Sequence, residues 1–235
     1  MYNDPFLNPS AAFANIDRLI VRQSILKTLL SFHRYLYGCC LDVGCGEMPY
    51  RMLLLQPPFK VTNYLGLDRA GDRHQMAKPD ILFTNGAIPL ASRTVDSALC
   101  TEVLEHCQNP SDLLEEIHRV LKPGASLILT VPFLWPLHEV PNDYCRYTPF
   151  ALRQLLISAG FVVQELRPLG GWDKSLAQML GLYARRRPMN RFLRFCLTLL
   201  IYPIWHFLRH FPEKTSDHFS ESAMITGLAI RAERF

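Results

Sequence analysis

Two acidic residues of this chain each stand at the end of an apolar run. Asp42 is followed by Gly44 and Gly46, and Asp68 closes a second run. Glycine adopts positive φ readily and leaves room for a ligand against the main chain, so the turn after Asp42 is typical of the floor of a cofactor pocket. A carboxylate at the position of Asp68 can accept hydrogen bonds from both hydroxyls of a ribose. Glycines also occur in ordinary turns, and Asp68 can instead cap a helix.

A second group of chemically active side chains lies in the aromatic- and proline-rich stretch 132–147. A histidine or a carboxylate within reach of a substrate hydroxyl can remove its proton as a general base. We predict that role for His138, Glu139 or Asp143, with His138 preferred. The neighbours predicted to contact the substrate are Tyr144, Arg146 and Tyr147. The alternative is structural: His138 and Glu139 hold the loop, while Asp143 pairs with Arg146.

The cysteines and histidines do not suggest a metal site. Seven cysteines, an odd number without metal-ligand spacing, indicate reduced thiols in a cytoplasmic protein. The N-terminus has no basic region that leads into an apolar core, so no secretory signal is expected. His106 is a further candidate base, ranked below His138, and it can equally be structural. The chain has 235 residues, enough for one globular α/β domain with a large core.

An alternation of strands and helices must position these groups. Apolar runs predict strands at 39–43, 63–67, 80–83, 95–100, 125–131, 161–166 and 225–231. Helical spacing predicts a helix over 16–35, a second that Ser111 caps, and a third that begins at Thr148-Pro149. Strands that alternate with helices are joined by crossovers and form a doubly wound α/β sheet, which binds ligands at the carboxyl ends of its strands.

The segment 170–222 interrupts this alternation and carries most of the basic character. Between Trp172 and Lys214 there are eight Lys and Arg against two acidic residues, a net charge of +6, and the rest of the chain has −2. Its uncharged stretch 195–205 is too short to span a bilayer. A basic, aromatic and apolar segment of this kind can lie in a membrane interface, here through 185–211. The alternative is a helical cap packed on the sheet or on a second subunit.

Four motifs in order resemble the class I S-adenosylmethionine-dependent methyltransferases, and more narrowly their "type 11" branch. They are LDVGCG at 41–46, YLGLD at 64–68, TEVLEH at 101–106 and HRVLKPG at 118–124. The resemblance covers roughly residues 38–167. It implies a Rossmann-like, seven-stranded sheet, mostly parallel with an antiparallel last strand. It also implies S-adenosylmethionine as the cofactor.

The resemblance assigns roles to the residues at the strand ends. It places the backbone around Gly44 and Gly46 against the methionine part of the cofactor, and Asp42 beside its amino group and sulfonium. The cofactor-binding residues expected are Asp42, Gly44, Cys45, Gly46, Asp68, Thr84, Asn85, Thr101 and Glu102. The chain departs from the pattern twice: Thr84 stands where the family has an Asp that contacts adenine, and Met48 stands where many relatives have a third glycine.

These observations predict one methyltransferase domain over 1–235. It is divided into an N-terminal helical region 1–37, a cofactor-binding core 38–169, the insertion 170–222 and a last strand 223–235. The expected reaction is methyl transfer to a small-molecule, glycan or lipid-linked acceptor, at oxygen, in the cytoplasm or at the cytoplasmic face of a membrane. The alternatives are an RNA-modifying methyltransferase and a non-catalytic protein on the same fold. Nucleic acid is not the expected partner, because residues 101–104 lack the Asn/Asp-Pro-Pro-Tyr/Phe motif of amino-group methylation on bases.

Overall fold

The computed structural model describes residues 4–69, 78–83, 87–211 and 219–235. Seven strands form one sheet in the order β3-β2-β1-β4-β5-β7-β6, with β7 antiparallel and the others parallel. This order confirms the predicted Rossmann-like α/β fold. The strands are β1 Tyr37–Val43, β2 Lys60–Arg69, β3 Ile81–Phe83, β4 Val95–Thr101, β5 Leu121–Pro132, β6 Phe161–Leu169 and β7 Gly227–Arg234.

In the described part of the chain, six α-helices accompany the sheet: α1 Leu19–Ser31, α2 Arg51–Leu54, α3 Pro110–Val120, α4 Pro149–Ser158, α5 Trp172–Arg186 and α6 Arg191–His210. Thr148 caps α4 as predicted, because its hydroxyl accepts a hydrogen bond from the Ala151 N–H at 3.2 Å. The predicted cap at Ser111 is wrong. The helix begins at Pro110, two residues before the start that a cap at Ser111 implies, and Asn109 occupies the N-cap position without a side-chain cap bond. Proline suits the first helical position, where its missing N–H has no intrahelical partner.

The sheet positions the acidic residues of the sequence motifs at one edge. In the parallel register, Val43 of β1 pairs with Leu67 of β2 on one side and with Cys100 of β4 on the other. The next residues of these strands therefore leave the sheet at the same carboxyl edge, where ligands of parallel sheets bind. The central strands β4 and β5 are buried over most of their length, which explains the apolar stretches within them.

The chain forms two compact units. The sheet unit comprises Thr28–Val131, Leu137–Leu166 and Ala229–Phe235, and the helical unit comprises the chain up to Lys27, Pro132–Pro136 and Arg167–Leu228. The four segments predicted from the sequence cut the chain at other positions, and they stay a prediction. The predicted helical insertion is confirmed in type, because α5 and α6 fill most of 170–222.

The helical unit has its own core. Its buried members come from the segment before α1 and from α1, α5 and α6: Ile16, Leu19, Ile20, Ala177, Ala184, Ile201 and Trp205. Gly181 of α5 allows close approach, since a Cβ there would lie 2.1 Å from the Ile16 carbonyl oxygen. Gln178 and Arg186 of the same helix bind the backbone carbonyl and the carboxylate of Asp17, each at 2.7 Å. These contacts fix α5 against the N-terminal segment.

Candidate cofactor and acceptor site

The turn after β1 needs glycine at two positions, for different reasons. Gly44 has φ +69°, and a Cβ there would lie 2.4 Å from a methyl group of Val103. Gly46 has φ +51°, but a Cβ there would meet nothing within 4 Å. Gly44 is therefore required by the packing of the protein itself. Gly46 leaves open space beside the backbone, as expected for a position that a ligand approaches.

Asp68 holds this turn in place. Its carboxylate accepts the Gly46 N–H at 2.7 Å and the Arg69 N–H at 2.7 Å. The N–H groups of Gly44 and Cys45 both donate to the Leu67 carbonyl, at 2.8 and 3.1 Å. The turn is thus tied to the end of β2, which brings the carboxylate predicted to bind ribose next to the glycines predicted to lie below the cofactor.

Met48 occupies the position of the third glycine and keeps a glycine-like backbone, with φ +54°. Its side chain is buried. A Cβ on Gly66 would lie 2.8 Å from the Met48 sulfur, so the methionine packs directly over that glycine. The departure from the family pattern therefore alters the side chain that closes the turn and retains the backbone conformation.

Asp42 is a buried carboxylate that is only half satisfied. One oxygen accepts a hydrogen bond from the Tyr64 hydroxyl, and the other has no hydrogen-bond partner in the described part of the chain. Burial raises the pKa of Asp42 to about 7, although the Tyr64 hydrogen bond opposes that shift. An unpaired buried carboxylate oxygen is costly unless a cation or donor reaches it. The site is therefore suited to a cationic ligand.

The end of β4 contributes Thr101 and Glu102. Thr101 is buried, and Glu102 has φ +55° with its N–H donating to the Thr130 carbonyl at 2.9 Å. The Thr130 hydroxyl donates to the Glu102 carboxylate at 2.9 Å. Both predicted residues thus lie at the carboxyl edge, next to β5. Thr84 and Asn85, the residues predicted to contact adenine, lie outside the described residues.

A histidine pair forms the centre of the predicted acceptor region. Nε2 of His106 lies 3.1 Å from Nε2 of His138. The Nδ1 atoms face acceptors, the Asn142 carbonyl at 2.7 Å for His106 and the Asp143 carboxylate at 3.3 Å for His138. When each Nδ1 carries a hydrogen, both neutral rings direct an Nε2 lone pair at the other. The pair is therefore an acceptor for a proton or another cation.

Glu105 completes this cluster, and the sequence did not indicate it. Its carboxylate is fully buried and lies 3.6 Å from His106 Nε2, and neither oxygen has a hydrogen-bond partner among the described residues. Burial raises the pKa of Glu105 well above its usual range, and the nearby Glu102 charge adds to that. One ligating atom each from Glu105, His106 and His138 lies within 4.8 Å of the others. The three side chains can share a proton, and the geometry also suits a divalent cation.

The remaining predicted residues of this loop divide into two groups. Asp143 forms a two-point ion pair with Arg146, at 2.6 and 2.9 Å, and this pairing lowers the pKa of the Asp143 carboxyl. A permanently ionised Asp143 orients His138 rather than taking a proton itself. Burial lowers the pKa of His138, with the His106 charge as the next cause. His138 is therefore neutral near pH 7, the form that a base requires.

The other loop residues differ in accessibility. Glu139 has a 70% exposed side chain and reaches within 3.8 Å of His106 Nε2. Tyr144 is exposed, its hydroxyl donates to the Asn142 side-chain oxygen at 3.1 Å, and its N–H donates to the Glu105 carbonyl at 2.7 Å. Tyr147 is buried, and its hydroxyl donates to the Leu104 carbonyl at 3.1 Å. Tyr147 thus anchors the loop, which favours a structural role over the predicted substrate contact.

Part of this chain is similar in sequence to known proteins. The model of the Methyltransferase domain family matches residues 41–129. The ubiquinone biosynthesis O-methyltransferase of Dechloromonas aromatica is 30% identical over 144 residues, 57% of this chain and 55% of that protein. The chain spans about half the length of the curated relatives it matches.

Solved structures confirm the fold over most of the chain. A SAM-dependent methyltransferase from Archaeoglobus fulgidus superposes with a TM-score of 0.55 at 14% identity, over 91% of this chain and 93% of that one. The [4+2]-cyclase SpnF gives a TM-score of 0.54 at 16% identity, over 90% and 81%. Similarity at this identity is evidence for the fold alone.

The described residues also fit the cofactor of this family. The orphaned oxygen of Asp42 suits a cationic amino group or sulfonium, and the open face of Gly46 suits close approach of a ligand. The family match, the relatives, the strand order and the strand-end residues agree. Over residues 41–129 the chain matches the Methyltransferase domain family, and it resembles the class I S-adenosylmethionine-dependent methyltransferases in its fold and in these strand-end residues.

Proposed function

We propose that this protein transfers a methyl group from S-adenosylmethionine to a hydroxyl oxygen of a small-molecule or lipid-linked acceptor. S-adenosylmethionine, when bound, supplies an electrophilic methyl group on a cationic sulfonium. The observation that carries the choice of oxygen is the neutral, oriented His138 beside His106. A hydroxyl gives up its proton when it becomes an ether, and a histidine held by a carboxylate is suited to accept it.

The protein residues then have separate tasks. Asp42, Gly44 and Gly46 hold the methyl donor, and Asp68 fixes the turn and offers a carboxylate to the ribose. His138 takes the acceptor proton at Nε2 and shares it with His106, while Asp143 stabilises the resulting charge through Nδ1. Because methyl transfer is an in-line displacement, most of the acceleration comes from alignment of the acceptor and exclusion of water.

The helical unit supports a lipid-linked acceptor and attachment to the cytoplasmic face of a membrane. α6 extends beyond the uncharged stretch 195–205 to 20 residues, and by length and composition it is apolar enough to cross a membrane. Only 17% of the residues in its most apolar part are buried. One face packs on the core of the helical unit through Thr198, Ile201 and Trp205. The opposite face exposes Phe192, Leu199, Leu200, Ile204 and Phe207. An amphipathic helix with arginines near both ends is suited to lie in the interface.

Methyl transfer into cell extracts tests the acceptor class. The purified protein and methyl-labelled S-adenosylmethionine are incubated with an extract that is then separated into lipid, glycan and RNA fractions. We expect label in the lipid fraction, in a product whose methyl group is bound to oxygen. Label confined to RNA would favour the alternative of RNA modification. Cofactor binding without label in any fraction would contradict the enzymatic proposal.

A further inference from the structure

The helical unit contains a cavity of about 220 Å³ that is lined by three arginines and no acidic residue. The lining residues are Phe13, Arg185, Arg191, Arg194, Phe195 and Thr198. None of the three arginines forms an ion pair with any residue in the described ranges. The two neighbouring arginines are engaged elsewhere: Arg186 pairs with Asp17 at 2.7 Å, and Arg187 bonds the Tyr183 hydroxyl at 2.5 Å. Among the described residues, the cationic groups of this cavity therefore have no counterion.

Two of the side chains that line this cavity have a buried polar atom without a hydrogen-bond partner among the described residues. Thr198 is 98% buried, and its hydroxyl has no hydrogen bond among the residues that the structure describes. Nε of Arg194, one helical turn earlier, is likewise buried and without a hydrogen-bond partner. Buried polar groups are almost always paired, so these two side chains have hydrogen-bonding capacity that the described residues do not use. An oxyanion would satisfy a guanidinium and a hydroxyl donor together.

The start of α6 also favours an anion in this cavity. Arg191 is the first residue of this helix, and its N-cap Asn190 accepts the Leu193 N–H at 2.8 Å. The positive end of the helix dipole therefore lies beside the arginine-lined cavity. The 20 residues of α6 contain no aspartate or glutamate, so no acidic side chain of that helix competes with an incoming anion.

The surroundings of the cavity indicate that the anion belongs to a lipid. Phe195 lines the cavity and is 58% exposed, and Phe192, one turn earlier, is 78% exposed. The exposed apolar face of α6 continues from there through Leu199 and Leu200. A free phosphate ion would gain nothing from these side chains. A phosphate head group at a membrane surface would place its acyl chains beside them.

We propose that this cavity, the arginine cavity, binds the phosphate of an anionic phospholipid and so anchors the helical unit at a membrane surface. Phosphate oxygens accept hydrogen bonds from Arg185, Arg191 and Arg194 and from the Thr198 hydroxyl, while the exposed face of α6 enters the acyl boundary. The inference rests on the proposed membrane attachment, and it adds a specific head-group site to it. It does not depend on methyl transfer.

Binding to vesicles tests the arginine cavity against general charge attraction. The full-length protein is sedimented with phosphatidylcholine vesicles with and without phosphatidylglycerol. We expect Arg191→Gln with Arg194→Gln to weaken binding to the anionic vesicles by about 25-fold, roughly fivefold for each lost cation. The matched control is Arg153→Gln with Arg187→Gln, which removes the same charge outside the cavity. Equal weakening of vesicle binding by both pairs of changes would contradict a specific site in the arginine cavity.

Thr198→Val separates a ligand site from a structural role. The change keeps the shape and the net charge and removes only the unpaired hydroxyl. We expect weaker binding to anionic vesicles, by about three- to tenfold, together with equal or higher thermal stability without lipid. Lower stability with unchanged vesicle binding would show that the hydroxyl serves the fold, and it would contradict the proposal.

Three further outcomes bear on the source of the phosphate and on membrane attachment. Calorimetric binding of inorganic phosphate without any vesicle binding would assign the cavity to a soluble ligand and overturn the lipid proposal. Equal binding to neutral and anionic vesicles, unaffected by the arginine changes, would leave membrane attachment intact and remove the head-group site. Absence of binding to either vesicle would remove the attachment as well, and methyl transfer would remain as a separate question.

Discussion

At the scale of single residues, the site depends on buried polar groups that lack their usual partners. Within the described ranges, one carboxylate oxygen of Asp42 and both of Glu105 have no hydrogen-bond partner. Two histidines direct their Nε2 atoms at each other at 3.1 Å. The sequence motifs predicted Asp42 because it precedes the glycine turn. They could not predict the histidine pair, because His106 and His138 are 32 residues apart and meet only through the fold of the loop.

The ionisation of Asp42 makes cofactor binding depend on pH. Burial raises the pKa of Asp42 to about 7 in the free protein, and a cationic ligand favours the ionised form. Below that pKa a proton must be released on binding, so affinity for S-adenosylmethionine should rise by up to about tenfold per pH unit between about pH 5.5 and 7. Calorimetric titrations across this range check the slope. Asp42→Asn should remove it, and an unchanged slope in that variant would rule out Asp42 as its source.

The free energy of unfolding of the ligand-free protein should change with pH in the opposite direction to cofactor affinity. The folded protein binds the Asp42 proton more tightly than the unfolded chain, in which an aspartate has a pKa of about 3.9. The stabilisation from this proton is therefore present at low pH and lost as the pH rises from about 4 to 7. This opposite sign separates a direct role in binding from a general pH effect on the fold.

The proposed base gives a second prediction. His138→Gln should lower kcat by about 10² to 10⁴, with the dissociation constant of S-adenosylmethionine unchanged. Because the pKa of His138 is lowered, the wild-type rate should fall on acidification below about pH 6.5, and the variant should lose this acid limb. His33→Gln provides a control in a histidine outside the site. A variant that keeps both rate and pH profile would show that His138 only holds the loop.

At the scale of elements, the order of strands and helices could be predicted, and their ends could not. All seven strands lie where apolar runs placed them, but β2 and β5 begin three and four residues earlier than predicted. The earlier starts come from Lys60, which pairs with Tyr37 of β1, and from Leu121, which pairs with Val95 of β4. α6 was missed as one 20-residue helix because Pro203 and the flanking arginines interrupt its pattern. Its conformation depends on packing around Trp205.

The glycine turn gives a prediction at this scale. Alanine at Gly44 or Gly46 adopts positive φ at a cost of about 1–2 kcal/mol. Gly44→Ala also meets Val103 at 2.4 Å, so we expect a total loss of about 3 kcal/mol in the free energy of unfolding. Gly46→Ala should lower the free energy of unfolding only by the cost of positive φ, about 1–2 kcal/mol. It should, however, weaken cofactor binding by more than about tenfold. Denaturant unfolding and calorimetry of both variants check this contrast, and equal effects would contradict it.

At the scale of the whole molecule, the residues proposed to carry the chemistry and those proposed to attach to a membrane belong to different units. The sheet unit holds the acidic strand ends and the histidine cluster, and the helical unit holds the arginine cavity and the exposed face of α6. The net charge follows the same division along the sequence, with +6 between Trp172 and Lys214 and −2 elsewhere. The sequence predicted this basic, apolar segment from composition, but it could not predict which arginines pair with acids.

The uneven distribution of charge predicts that salt weakens binding to anionic vesicles but does not abolish it. Surface electrostatics are screened at distances beyond about 3 Å in 1 M salt, whereas burial of the α6 face in lipid does not depend on salt. Binding to anionic vesicles should therefore fall by more than about tenfold from 0.05 to 0.5 M salt and then level off above zero. Complete release at high salt would indicate that the apolar face does not enter the membrane.

The measurement that tests the central claim most directly is a calorimetric titration of the wild-type protein with S-adenosylmethionine, beside Asp68→Asn. The claim is that the turn at Gly44 and Gly46, held by Asp68 next to Asp42, binds this cofactor. We predict saturable binding with one site per chain, and binding at least about tenfold weaker in the variant, because the ribose loses an ionised acceptor. No heat of binding with wild-type protein at millimolar cofactor would contradict the assignment of this turn as a methyl-donor site.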